Sequence, residues 1–158
     1  MTQRRLNDRL DFNESVRTTN ERKGESNDAY GRTARILGSR SNTTFSTVSG
    51  FERDYDALSI DEQASIGQYM NRFENDYQNS TMDMELRNSY QIEVYVTNPY
   101  KLWQIYLRRT YRAFVFFHKK RPEASWVALF RKGKQREQQE IEVAKARARV
   151  LWNQIKGM

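Results

Sequence analysis

The sequence predicts a mainly α protein, a bundle of about four to five helices preceded by an extended, partly helical amino-terminal arm. Three observations predict it. Helix starts with identifiable caps recur after Phe51, and apolar residues there return at helical spacing. The first 50 residues, by contrast, hold only 12 apolar ones, too few to offset the entropy of ordering. The length of 158 residues fits one folded domain, so the division expected is a basic polar arm over 1–50 and a helical domain over 51–158.

Within the arm, Leu6 and Leu10 fall at helical spacing beside Arg5 and Arg9, which predicts a short helix over Gln3–Arg17 with one apolar and one basic edge. A second short helix is expected over Asp28–Leu37, carrying Arg32 and Arg35 and stopped by Gly38. Ser39–Gly50 is polar and rich in β-branched and turn residues, and reads as extended linker.

Ser59-Ile60-Asp61-Glu62 is a capping box, and the helix it opens puts Ile66, Met70, Phe73 and Tyr77 on one stripe before ending near Gln78-Asn79. Ser80-Thr81-Met82-Asp83 starts a further helix carrying Met82, Leu86 and Tyr90. Its tail has two readings, because Tyr90, Ile92, Val94 and Val96 also alternate at period two. Helix is preferred there, since no partner strand is visible elsewhere. Asn98-Pro99 then supplies an N-cap and a first helical position. The helix expected through Lys120 is the most apolar element, with Trp103, Leu107, Phe114 and Phe117 near one face. Arg121-Pro122 breaks it. A short helix over Pro122–Arg131 carries Trp126, Val127, Leu129 and Phe130, and Gly133 punctuates its end. The last helix, Gln135–Lys156, sets Ile141, Ala144, Ala148, Leu151 and Ile155 on one stripe with Trp152 beside it.

The net charge of +7 is unevenly spread. Residues 1–50 carry 9 Lys and Arg against 6 acids, 51–98 carry 3 against 10, and 99–158 carry 15 against 4. Such a basic block attracts a polyanion by counterion release, or an acidic protein surface, including the chain's own middle block. Arginine outnumbers lysine 19 to 8, which favours phosphate or buried ion-pair use.

Several chemistries find no footing. The chain has no cysteine and one histidine, so disulfides and the usual Cys/His zinc sites are excluded. Every histidine-dependent triad would have to use His118. Carboxylate pairs such as Asp61/Glu62 and Asp54/Asp56 sit in capping or loop contexts, and no glycine loop for phosphate occurs. A non-enzymatic protein without cofactor or metal is expected. No apolar run approaches the roughly 20 residues of a membrane span, and Met1–Asp8 leads into no signal core, so a soluble, unprocessed chain is expected.

The candidate nucleic-acid contacts are Arg4, Arg5, Arg9, Arg17, Arg32, Arg35 and Arg40 in the arm. To these the carboxyl block adds a basic helix face of Arg108, Arg112, Lys119, Lys120 and Arg121, and a basic loop of Lys132 and Lys134 around Gly133. Guanidinium groups one helical turn apart can meet successive phosphates. The aromatic cluster Trp103, Tyr106, Tyr111, Phe114, Phe116, Phe117, Trp126 and Phe130 can stack bases or serve as core, and its spread around one helix suggests burial against neighbouring subunits.

Ala113-Phe114, Phe117, Arg121-Pro122, Val143-Ala144-Lys145 and Trp152 resemble fragments of an HMG box, although the gap from Arg121 to Trp152 is longer than in that family. The basic, partly helical arm ahead of a compact bundle in a cysteine-free chain resembles the major capsid proteins of filamentous and rod-shaped archaeal viruses. That resemblance implies an arm that wraps double-stranded DNA and a bundle that packs against other copies of itself or a homologous subunit. The function expected is therefore a structural nucleic-acid-binding protein, a capsid or nucleocapsid subunit located in a virion. Double-stranded DNA is the favoured ligand, with RNA possible. The competing expectation is a non-enzymatic assembly subunit of a large complex, a virion minor component or a ribonucleoprotein or membrane-complex accessory protein, whose arm threads through protein partners; outside a virion the chain is expected to be intracellular and soluble.

Overall fold

The run from Lys101 to Phe117 decides the architecture. As a helix it would carry Trp103, Tyr111, Phe114 and Phe116 around several sides and leave some without cover. As two strands joined by a turn it buries all of them, because strand side chains alternate between faces. The computed structural model describes residues 40–80, 83–108, 110–133 and 137–157, and in it this run is a hairpin. Trp103, Ile105, Leu107, Tyr111, Ala113, Val115 and Phe117 enter one core, and Leu102, Phe114 and Phe116 the other. Aromatic and β-branched side chains favour this pleated, doubly covered setting. The turn begins at Arg108, whose φ of 50° is left-handed. Glycine or asparagine usually marks such a position, so the turn was silent in the sequence.

The mainly α bundle is therefore corrected to an α/β sandwich. Its strands are β1 (Thr44–Thr47), β2 (Glu93–Val96), β3 (Lys101–Leu107), β4 (Tyr111–Phe117) and β5 (Glu123–Arg131), in the spatial order β1-β5-β4-β3-β2. The strands β2 to β5 form an antiparallel meander, and β1 closes the far edge parallel to β5 with Phe45 opposite Ala124. The expected linker thus supplies an edge strand, and the expected short helix over Pro122–Arg131 is β5. A register shift falls where Trp126 pairs with Val115 and Ala128 with Phe114, leaving Val127 as the bulge. Of the two readings of Tyr90–Val96, the alternating one holds for β2. Pro99 lies in the loop after it, across a cis peptide bond from Asn98, and begins no helix.

Helices α1 (Ser49–Asp56), α2 (Ile60–Asn79) and α3 (Asp83–Tyr90) cover one face, and α4 (Glu137–Ile155) covers the other. The expected capping box opens α2: the Glu62 N–H donates to Ser59 Oγ and the Ser59 N–H to Glu62 Oε1, each at 3.2 Å. The stripe Ile66, Met70, Phe73 and Tyr77 is buried as its spacing predicts, and so are Ile141, Ala144 and Ala148 of α4. The aromatics taken as a sign of neighbouring subunits are absorbed by the two sheet faces of one chain.

Polar links join the layers. Buried Trp126 donates from Nε1 to Glu74 at 2.8 Å, tying β5 to α2. Arg147 of α4 reaches round to Asp54 at 2.8 Å and the Val127 carbonyl at 3.0 Å, and its guanidinium lies where a Cβ on Gly50 would stand, 2.7 Å away. With Arg131–Glu62 and Lys101–Asp83, this pair joins the basic carboxyl block to the acidic middle block inside one chain. The helices expected over Gln3–Arg17 and Asp28–Leu37 lie outside the described residues. Among the described helices none is long and apolar enough to cross a membrane.

Candidate nucleic-acid interface

At the end of the sheet where β3 turns into β4, the hairpin and the segment after β5 face the outer edge of α2. Tyr69, Arg72 and Asp76 stand on that edge because residues three and four apart share a helix side. Opposite them, partly buried Tyr106 stands near the end of β3, Arg108 and Thr110 flank the turn, and Lys132 follows β5. The Lys132 N–H donates to the Thr110 carbonyl at 2.6 Å, which fixes one basic residue against the other's turn. Tyr90 and Gln91, at the end of α3, close the third wall. The groove is open to solvent and holds about 800 Å³, within the range of ligand sites.

The groove is cationic and aromatic. Lys132 Nζ lies 4.7 Å from the centre of the Tyr106 ring, so that the ring face holds the ammonium beside the groove. Asp76, an acid in the wall, accepts from the Tyr90 hydroxyl at 2.6 Å. Burial raises that phenol's pKa, and the bond to Asp76 and its charge raise it further, so Tyr90 stays a proton donor to Asp76. No ion pair with a described carboxylate ties down Arg72, Arg108 or Lys132. Three cations beside tyrosine rings suit a phosphate backbone whose bases can stack. Gln91 (φ 48°) and Arg108 (φ 50°), the two non-glycine residues with left-handed backbone among those described, both line this groove. Such strain persists where surrounding structure fixes it, and it gathers at functional sites.

The expected site residues separate into four groups. Arg108 and Lys132 come together in this groove. Arg40, Lys119, Lys120 and Arg121 come together in a different cleft, at the opposite end of the sheet. Arg112 is a correction: it is 3% exposed, sits in β4 rather than on a basic helix face, and is held by Glu137 at 2.7 Å and Glu140 at 2.6 Å. It supports α4 and cannot reach a phosphate. Arg4, Arg5, Arg9, Arg17, Arg32, Arg35 and Lys134 lie outside the described residues.

Sequence reasoning missed Tyr69, Arg72 and Tyr90, which reach the groove only through the packing of α2 and α3 on the sheet. The sequence did hold a signal for Tyr106, an aromatic two residues before Arg108 on one strand. Most of the other clustered aromatics, including Trp103, Tyr111, Phe114, Phe116, Phe117 and Trp126, are core. His118 is a structural residue: its Nδ1 accepts from the Lys120 and Arg121 N–H groups, each at 3.0 Å. Burial and the neighbouring Arg121 and Lys120 charges lower its pKa, which favours the neutral ring that this acceptor role needs. Among the described residues no three His, Asp or Glu side chains gather as a metal-holding group.

No protein-family model, curated protein or solved structure matches the chain.

Proposed function

We propose that this protein binds single-stranded nucleic acid, RNA foremost, along the groove of Arg72, Arg108 and Lys132. The observation that carries the reading is the convergence in one cleft of these three cations, none paired with a described carboxylate, with Tyr69 and Tyr106. Arginine and lysine meet the backbone, and the rings offer faces to bases without reading their sequence. A single strand fits better than a duplex because stacking on a side chain needs bases already free of their partners. Packaging of DNA by a capsid-like arm and bundle is not carried forward, because the helix bundle beneath the arm is replaced by the sandwich.

A specific observation favours a second reading, cleavage of the bound RNA. Left-handed backbone at Gln91 and Arg108 lies in the groove that Arg108, Lys132 and Tyr106 line, the kind of strain that gathers at functional sites. In that reaction the ribose 2′-oxygen bonds to the adjacent phosphorus as the bond from phosphorus to the 5′-oxygen breaks. The 2′-proton passes to water, Lys132 protonates the leaving 5′-oxygen, and Arg72 and Arg108 meet the charge that develops on the phosphoryl oxygens.

The test is fluorescence anisotropy with labelled single-stranded RNA over a salt titration, the same samples being analysed for a 2′,3′-cyclic phosphate product. A linear fall of log K with log salt is expected, and Arg108→Ala or Lys132→Ala should each reduce the slope by about 0.7. Absence of binding at low salt, or unaltered binding by both variants, would overturn the reading. Intact RNA after prolonged incubation would remove cleavage and leave binding standing.

A further inference from the structure

The opposite end of the sheet carries a second concentration of positive charge that the groove does not use. Arg40, Lys101, Lys119, Lys120 and Arg121 line a cleft of about 560 Å³ between the start of β3 and the loop from β4 to β5. The loop is firmly built. The His118 N–H donates to the Glu123 carbonyl at 2.9 Å, the His118 ring gathers the next two loop amides, and Arg121 Nη2 donates to the Ile155 carbonyl at 3.4 Å. Arg40 is fixed as well, its guanidinium 4.6 Å from the Tyr77 ring centre, bonded to Ser80 at 2.8 Å and paired with Asp83.

The described acids do not balance this set. Asp83 serves Arg40 and, at 4.0 Å, Lys101, while Glu123 stands 3.9 Å from Arg121. Lys119 and Lys120 are exposed, and neither is paired with a described carboxylate. Lys101 registers the crowding: burial lowers its pKa most, and the Arg40 and Lys119 charges lower it further. A bound anion would relieve that repulsion.

We infer that this cleft is a second contact for the phosphate backbone of the nucleic acid, so that one strand is held at both ends of the sheet. The inference rests on the reading of the first groove for its ligand class. The seven residues of β4 set the ends about 20 Å apart. A short oligonucleotide fills one site, whereas a longer one spans both and gains from the link.

The experiment compares a four-nucleotide and a sixteen-nucleotide single-stranded RNA binding to the full chain and to a Lys119→Gln/Lys120→Gln variant. Both lysines are exposed, and an unchanged melting temperature will show that the fold survives. The variant should bind the sixteen-mer about tenfold more weakly, with a salt slope about 1.4 smaller, and bind the four-mer as the wild type does. Equal affinity of variant and wild type for the sixteen-mer would overturn the second contact while leaving the groove intact. Equal loss for both lengths would overturn it too, since the cleft would not be a separate site. If the wild type binds the sixteen-mer through these lysines but Arg108→Ala changes nothing, the groove reading fails and the cleft stands. Polyglutamate competing as strongly as RNA of equal charge would overturn the cleft in favour of an acidic protein partner.

Discussion

The two faces of the sheet are built by different means. Under α1, α2 and α3, rings pack on rings: Trp126 lies 5.7 Å from Phe73, 5.9 Å from Phe51 and 6.3 Å from Phe45, and Tyr77 stacks on Phe117 at 4.8 Å. The buried polar groups there have partners, Thr47 with Glu52 at 2.9 Å, Gln78 with the Thr43 carbonyl at 2.7 Å, and Glu74 with Trp126. Under α4 the helix contributes Ile141, two alanines whose small size lets it lie close, and the partly buried Leu151, Trp152 and Ile155, with the Trp152 ring 5.8 Å from Tyr100 and Tyr100 stacked on Phe116 at 4.7 Å. The described buried side-chain atoms that lack partners, both amide atoms of Gln104 and Nε of Arg112, belong to residues that alternation turns toward this face. One face is an apolar core with its polar groups satisfied. The other is a single amphipathic helix fastened by Arg112 to Glu137 and Glu140 and by Arg147 to Asp54. Apolar burial holds both faces, and on the second the ionic clamps also fix where the helix lies.

The comparison breaks most readily at Trp126. Trp126→Ala opens the centre of the three-helix face and removes the donor to Glu74, so a loss of about 3–5 kcal/mol is expected from urea unfolding, with Trp126→Phe losing less. A loss below about 1 kcal/mol would show that this face does not dominate stability. Gln104→Leu acts on the α4 face with the opposite sign. It replaces an amide that is 0% exposed and unbonded by an apolar group of similar length, and a gain of about 1–2 kcal/mol is expected as a higher urea midpoint at unchanged slope. A destabilised variant would mean that the amide is satisfied in solution.

The smallest effect sharpens the satisfied face. Glu62 accepts from the Tyr111 hydroxyl, from the Ser59 N–H and from Arg131, and these hold its pKa at about 2 against the ordinary 4.5. A carboxyl depressed in the folded state contributes stability that is present above about pH 4.5 and is lost as pH falls toward 2. Thermal melts of the wild type should therefore decline across that window more steeply than those of Glu62→Gln. Parallel curves would remove Glu62 from the acid response.

Much of the helical layer was legible in the sequence, and much of the sheet was not. Caps and stripes are local: Ser59 and Glu62 lie within one turn, and Ile141, Ala144 and Ala148 repeat at the helix period, so α2 and α4 could be read from neighbours alone. The strands hid because β3, β4 and β5 are covered on both faces. Such strands read as near-continuous apolar runs, in which helical spacing is always available to the eye. Val94 and Val96 alternate in the sequence, but a bulge between them sets Val94 opposite Trp103 and Val96 opposite Leu102, so the two do not share one face.

Of the candidate interface, residue identities alone establish that positive charge gathers in the carboxyl third and that Arg108, Lys119, Lys120, Arg121 and Lys132 carry part of it. It did not determine which of these share a site. Arg108 and Lys132 meet because β4 and β5 run antiparallel and bring the turn before one beside the end of the other. The same pairing carries the loop of Lys119 to Arg121 to the far end and turns Arg112 inward between two glutamates. Charge is a property of each residue and survives any fold, whereas strand register, a tertiary decision, fixes which charges face a common ligand and which are spent on holding a helix.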